Sequence, residues 1–209
     1  MATRRSRPPA DLRRRRSTRD PRSKVIVVCE GRLTEPLYLD GVARHYRSLV
    51  AIDLIIEKGA GVPLSILRRA REILANRDHD FGQNDQVWAV FDRDDHPEVA
   101  RAISEAIASG IRVGFSNPCF ELWLVLHYRD FDAPVTRTQI QRVLRDLMPK
   151  YNPRRSKEIS FSEICDAVES AEARAEAMDR RRVHERNERG NPCSTIYKLT
   201  REIRRHGKE

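Results

Sequence analysis

Six acidic residues stand where packing alone gives no reason for an acid. Glu30 closes the apolar run VIVVC, with Gly31 beside it and Glu35 five residues on. Asp92 closes a second apolar run, QVWAVF, and Asp94 and Asp95 follow at once in FDRDDH. Glu121 sits inside CFELWLVL, one of the most apolar stretches of the chain. Carboxylates gathered in one place repel and raise one another's pKa unless a cation offsets the charge. An oxygen-only, carboxylate-rich site suits Mg²⁺ or Mn²⁺. The chemistry such a site supports is phosphoryl transfer or phosphodiester cleavage, with metal activating water and stabilising the leaving oxygen.

The elements between these residues decide whether they meet. A strand over Lys24–Cys29 leads to a helix starting near Thr34, with Glu35 and Pro36 in its first turn, where both suit a helix start. A strand over Val50–Glu57, the turn KGAGVP and a helix over Leu64–Asn76 follow, the last with Leu64, Leu67, Ile73 and Leu74 at helical spacing. A third strand, Gln86–Phe91, precedes a helix over Pro97–Ser109. A fourth, Ile111–Phe115, precedes a helix that Asn117 is expected to cap, with Pro118 at its first position. This alternation of short runs, apolar on both faces, predicts an α/β fold with a Rossmann-like parallel sheet flanked by helices. In such a sheet the carboxyl ends of the strands share one edge, and ligands bind in the crevice there. With the first and third strands as neighbours, Glu30, Asp92, Asp94 and Asp95 converge on it.

Each acid alone admits a plainer reading. Asp92, Asp94 and Asp95 could form a polar turn with a helix cap, and Glu121 could pair with a helix N-terminus. His96 reads as a turn residue, and His127 as a core or surface residue. The chain has no G-x-G-x-x-G after the first strand, no P-loop, no Cys/His cluster at zinc spacing and no G-x-S-x-G elbow. An aspartyl-phosphate phosphatase with Asp92 as nucleophile leaves Glu30 unexplained.

Beyond Arg129 the pattern is helical without strands: Thr138–Leu147, one long helix over Ser160–Asn187, and a closing helix over Thr195–Arg205. NPRRSKE, between the first two, is a loop with three basic residues. The triplet Asn-Pro-Cys occurs at 117–119 and again at 191–193, in both places as turn and helix-start chemistry. The expected organisation is an arm over 1–23, an α/β core over 24–129 and a helical region over 130–209 packed on that core.

With 39% hydrophobic and 34% charged residues, the composition is that of a soluble protein. No apolar run nears the roughly 18 residues of a membrane helix, and the N-terminus lacks the apolar core of a secretory signal. Cys29, Cys119, Cys165 and Cys193 are widely spaced, as reduced core thiols of a cytoplasmic protein would be. Of the net charge of +9, residues 1–24 carry +8, from ten basic residues against Asp11 and Asp20. A Pro- and Arg-rich segment with little to bury is expected to be disordered. Its arginines, Arg13, Arg14, Arg15 and Arg16 among them, suit phosphate oxygens. With 6% aromatic residues, recognition by base stacking is not indicated.

A glutamate ending the first strand and a D-x-D ending a later one is similar to the Toprim domain of topoisomerases, bacterial primases and OLD-type nucleases. Glu30 matches the Toprim glutamate, and Asp92 and Asp94 match its D-x-D metal ligands. More specifically, VVCEGRLTEPLYL, VFDRDDH, SNPCFELWLVLHY and GNPCSTIYKL, in that order, resemble the RloB family, also called AbiLii-like. The resemblance implies a bacterial anti-phage (abortive infection) protein with a Toprim-like core that cleaves nucleic acid with Mg²⁺ or Mn²⁺. It implies Glu30, Asp92 and Asp94 as catalytic metal-site residues. Asp95, Glu35 and Glu121 are further candidate ligands, the last two within the RloB-like blocks but outside the Toprim triad. An ABC-type AAA ATPase is the implied partner. Arg32 and Arg93 are near enough in sequence to steer phosphates, or to neutralise adjacent acids. Two alternatives stand beside this reading: a nucleotide phosphotransferase or phosphatase using the same site, and a non-catalytic nucleic-acid-binding or regulatory subunit.

Overall fold

The computed structural model describes residues 24–31, 33–46, 51–56, 62–76, 81–82, 84–93, 97–153 and 159–205. The arm over 1–23, most of the KGAGVP turn, His96 and most of the basic loop 152–158 lie outside the described residues.

The expected alternation is present. Strands β1 (Lys24–Cys29), β2 (Ala51–Ile56), β3 (Gln86–Asp92) and β4 (Arg112–Asn117) alternate with helices α1 (Thr34–His45), α2 (Pro63–Ala75), α3 (Val99–Ala108) and α4 (Glu121–Tyr128). Then come α5 (Arg137–Leu147), α6 (Val168–His184), a two-residue strand β5 (Cys193–Ser194) and α7 (Ile196–Arg205). The sheet order is β2-β1-β3-β4-β5, parallel except for β5, which runs antiparallel to β4. Crossovers through helices are what parallel neighbours require. β1 and β3 are adjacent, with Cys29 opposite Val90, so Glu30 follows one strand end as Asp92 completes the next.

Period-two alternation divides the apolar residues between the sheet faces. Ile26, Val28, Val87, Ala89 and Phe91 pack under α2 and α3, against Leu67, Ala70, Ala102 and Ile103. Val25, Val27, Cys29, Trp88 and Val90 face the larger core built from α1, α4, α5, α6 and α7. The C-terminal region is therefore a layer of the same fold. α4 lies in the middle of it, and every residue from Glu121 to His127 is buried. A helix with no polar face belongs inside a protein, and each fully buried leucine there contributes roughly 1.5–3 kcal/mol. An ion lattice ties α7 to α6: Arg204 meets Glu169 and Glu172, Arg201 meets Glu172 and Glu176, and Lys198 meets Asp179.

Three local expectations are corrected. Asn117 does not cap a helix. It ends β4, its side-chain amide donates to the Arg189 carbonyl at 2.9 Å, and α4 starts four residues later at Glu121. The segment from Ser160 is not one helix, because 3₁₀ turns at Phe161–Glu163 and Cys165–Ala167 precede α6. There the Ser160 and Ser162 hydroxyls pair at 3.0 Å and the Cys165 thiol bonds the Ser162 carbonyl, local bonds that compete with the α-helical ladder. That helix also stops at His184, and Arg186 adopts φ 54° just beyond it. Finally, the C-terminal region is not free of strands. In β5, Cys193 pairs with Asn117, so the two Asn-Pro-Cys triplets meet across the sheet.

Candidate active site

A crevice of about 300 Å³ opens at the carboxyl edge of β1 and β3. Glu30, Glu35, Asp92 and Glu121 all line it, together with Arg137. Each arrives for a local reason. Glu30 and Asp92 are carried there by neighbouring parallel strands. Glu35, Glu121 and Arg137 stand in the first turns of α1, α4 and α5. Three helix N-termini thus meet the strand-end acids, and their partial positive charge offsets the crowding of carboxylates. α5 starts on a full capping box, with Thr136 and Gln139 satisfying each other's backbone groups. That box fixes Arg137 at the rim.

Gly31 shows how tightly one acid is seated. A Cβ placed on it would fall 1.7 Å from Glu35 Oε2, so the Glu35 carboxylate fills the space a side chain would take. The neighbouring thiols register the same charge. Burial, followed by Glu35, pushes Cys29 up to about 12. Burial, followed by Glu121 and Asp92, drives the Cys119 thiol well above its usual range.

Glu121 is 3% exposed. Its Oε1 accepts hydrogen bonds from Gln141 Nε2 at 3.0 Å and from the Tyr151 hydroxyl. Two donors on one oxygen suit an ionised carboxylate and meet the cost of burying it. Burial and the adjacent Glu121 hold the Tyr151 phenol far above its ordinary pKa, so it remains a donor.

The walls of the crevice are latched behind these groups. The Tyr38 hydroxyl, one turn beyond Glu35, lies 3.0 Å from His127 Nε2, and His127 Nδ1 is 3.0 Å from the Trp123 carbonyl. The Tyr38 ring also meets Phe120 and Trp123 edge-on. His127 is thus a core residue that joins α1 to α4, and burial lowers its pKa to about 4.

Of the residues singled out in sequence, Glu30, Asp92, Glu35 and Glu121 come together. Arg93 does not line the crevice: its side chain is exposed and its backbone N–H donates to the Ser116 carbonyl at 2.8 Å. Asp94, Asp95, Arg32 and Arg13 to Arg16 lie outside the described residues. Cys29, Cys119 and Cys193 are buried thiols as expected, whereas Cys165 is partly exposed. The crevice acids surround a cavity and do not close on a point. Among the described residues, the group of three potential ligand atoms within 4.8 Å of one another is elsewhere, at His45, Cys165 and Asp166. The crevice donors are all oxygens, which suits a hard cation that retains water among its ligands.

A family model described as RloB-like protein matches residues 25–203. The chain belongs to the RloB-like family. Searches of curated proteins and of solved structures gave no match. Among the described residues, no helix of this RloB-like chain is long and apolar enough to cross a membrane. Three of its site residues, Arg137, Gln141 and Tyr151, escaped sequence reading. Only Arg137 had a local signal, the Thr136–Gln139 capping pattern beside it.

Proposed function

We propose that this RloB-like protein is a Toprim-type, metal-dependent nuclease acting in bacterial defence against phage. The observation that carries the reading is the meeting of Glu30, Asp92, Glu35 and Glu121 with Arg137 in one crevice at the carboxyl edge of a parallel sheet. Among the described lining residues, four carboxylates and one guanidinium form a set that a divalent cation would suit. Glu30, Asp92 and Asp94 would hold Mg²⁺ or Mn²⁺, with Glu35, Asp95 and Glu121 as further ligands. When bound, the ion supplies an activated water and stabilises the leaving oxygen. Glu30 would hold the ion, or orient and deprotonate an attacking water. Arg137 binds a non-bridging phosphate oxygen, a task to which a guanidinium is suited, and the three helix N-termini favour the same anion. The Arg-rich arm adds sequence-independent attraction to a nucleic-acid backbone. An ABC-type AAA ATPase fits as the partner on the strength of the family resemblance.

The test starts with calorimetry of Mn²⁺ and Mg²⁺ on the wild type and on Asp92→Ala/Asp94→Ala, followed by cleavage assays on DNA and RNA with the ATPase present. Metal binding and cleavage that both vanish in the double variant, while nucleic-acid binding persists, support the nuclease. Binding lost on deleting residues 1–23, with no cleavage under any metal, favours the non-catalytic subunit.

A further inference from the structure

Tyr151 and Gln141 belong to the helical layer, yet their polar atoms end on a carboxylate of the crevice. Tyr151 is 1% exposed, with its ring packed into the large core and its hydroxyl on Glu121 Oε1. Gln141 projects from α5 onto the same oxygen. At the start of α4 the N-cap residue, Phe120, offers no side-chain hydrogen bond, and the Cys119 thiol lies beside the same carboxylate. The carboxylate is thus held in part by groups 20 and 30 residues further along the chain.

We propose that Tyr151 and Gln141 are positioning residues that hold Glu121 as a metal ligand of the crevice, which makes the C-terminal helical layer a working part of the site. The inference rests on the metal-centred reading above and extends it to residues that this reading does not require. A carboxylate gripped by two donors loses little freedom when it ligates, because its rotamer is already fixed. Removing such an outer partner typically weakens metal binding about 10–100-fold. A scaffold role makes a different forecast. If Tyr151 only filled the core, Tyr151→Phe, which keeps the ring and deletes the hydroxyl, would leave metal affinity alone.

The experiment is a set of Mn²⁺ affinities, by calorimetry, for the wild type, Asp92→Asn, Tyr151→Phe, Gln141→Leu, Glu121→Gln and the double variant Glu121→Gln/Tyr151→Phe. Urea midpoints on the same samples establish that each is folded. The expected result is at least a tenfold loss for Tyr151→Phe and a smaller one for Gln141→Leu. In the Glu121→Gln background, Tyr151→Phe should add less than about twofold, because the tyrosine acts through that glutamate. Mn²⁺ binding that needs Asp92 but is indifferent to Tyr151→Phe overturns this inference and leaves the metal site standing. An equal loss from Tyr151→Phe with and without Glu121 overturns it too, since the hydroxyl would then act by another route. A folded wild type that binds no Mn²⁺ removes the metal reading and this inference together.

Discussion

His127 gives a direct check on how the walls of the crevice are joined. Its Nδ1 lies 3.0 Å from the Trp123 carbonyl, which cannot donate, so Nδ1 carries the proton. Nε2 then accepts from the Tyr38 hydroxyl at 3.0 Å. The neutral ring is satisfied at both nitrogens, and a second proton would make Nε2 a donor and force the Tyr38 hydroxyl to give up its own bond and accept. Burial accordingly lowers the imidazole from 6.5 to about 4. The unfolded chain restores the ordinary value, so between those two values it binds more protons than the folded one, and stability falls as pH falls. At about pH 4.5 nearly all unfolded chains but only a minority of folded ones carry the proton, a loss of roughly 2–3 kcal/mol relative to pH 7. Carboxylates titrate in the same range, so the assay is paired. Urea unfolding of wild type and His127→Gln is followed at both pH values with chelator present, glutamine retaining an acceptor for Tyr38. Wild type should lose roughly 2–3 kcal/mol more than the variant over that interval. Losses that agree to about 0.5 kcal/mol would refute the neutral latch.

Three further outcomes follow from the site. Asp92→Asn removes one carboxylate from the crevice, and its thermal midpoint should no longer respond to Mn²⁺. Mn²⁺ at about 100 times its Kd should stabilise the wild type by about 2.7 kcal/mol, while the variant gains almost nothing; scanning calorimetry reads both. Gly31→Ala should displace the Glu35 carboxylate from the space the new methyl needs and weaken Mn²⁺ binding severalfold, measurable by calorimetry without a substrate. In a thiol titration of the native protein, Cys165 should react first. Cys29 and Cys193 are buried, each pushed up to about 12 chiefly by that burial, and should wait for unfolding.

What could be read from sequence was what a short window contains. The run from Lys24 to Cys29 is apolar on both faces, and the structure makes it the strand it suggests, flanked by two others. Glu30 and Asp92 were legible because a parallel sheet brings its strand ends to one edge whatever the details of packing. Arg93 shows the limit of adjacency: it directly follows Asp92 yet is not among the residues that line the crevice. Asn117 misled in another way, since Asn before Pro is a fair helix-start signal. A two-residue pairing with β5, 76 residues distant in the Asn117–Cys193 register, claimed it for the sheet.

Glu121 is the instructive case. An acid inside CFELWLVL is conspicuous, because burying an unpaired charge is costly, so the sequence announces that partners exist. Which partners they are depends on how α5 and the chain after it fold back over α4. Neither Gln141 nor Tyr151 differs in its own surroundings from any other glutamine on a helix or tyrosine near a loop. The information is divided between a local anomaly that poses the question and a tertiary contact that answers it. The same division holds for the latch between Tyr38 and His127, 89 residues apart, whose halves look like ordinary members of two amphipathic or apolar helices. A carboxylate site of this kind is thus assembled from two sources. Strand ends bring Glu30 and Asp92 together by topology, and the helical layer holds Glu121 by hydrogen bonds. It follows that substitutions in that layer, far from the acids in sequence, should alter metal affinity without touching a ligand.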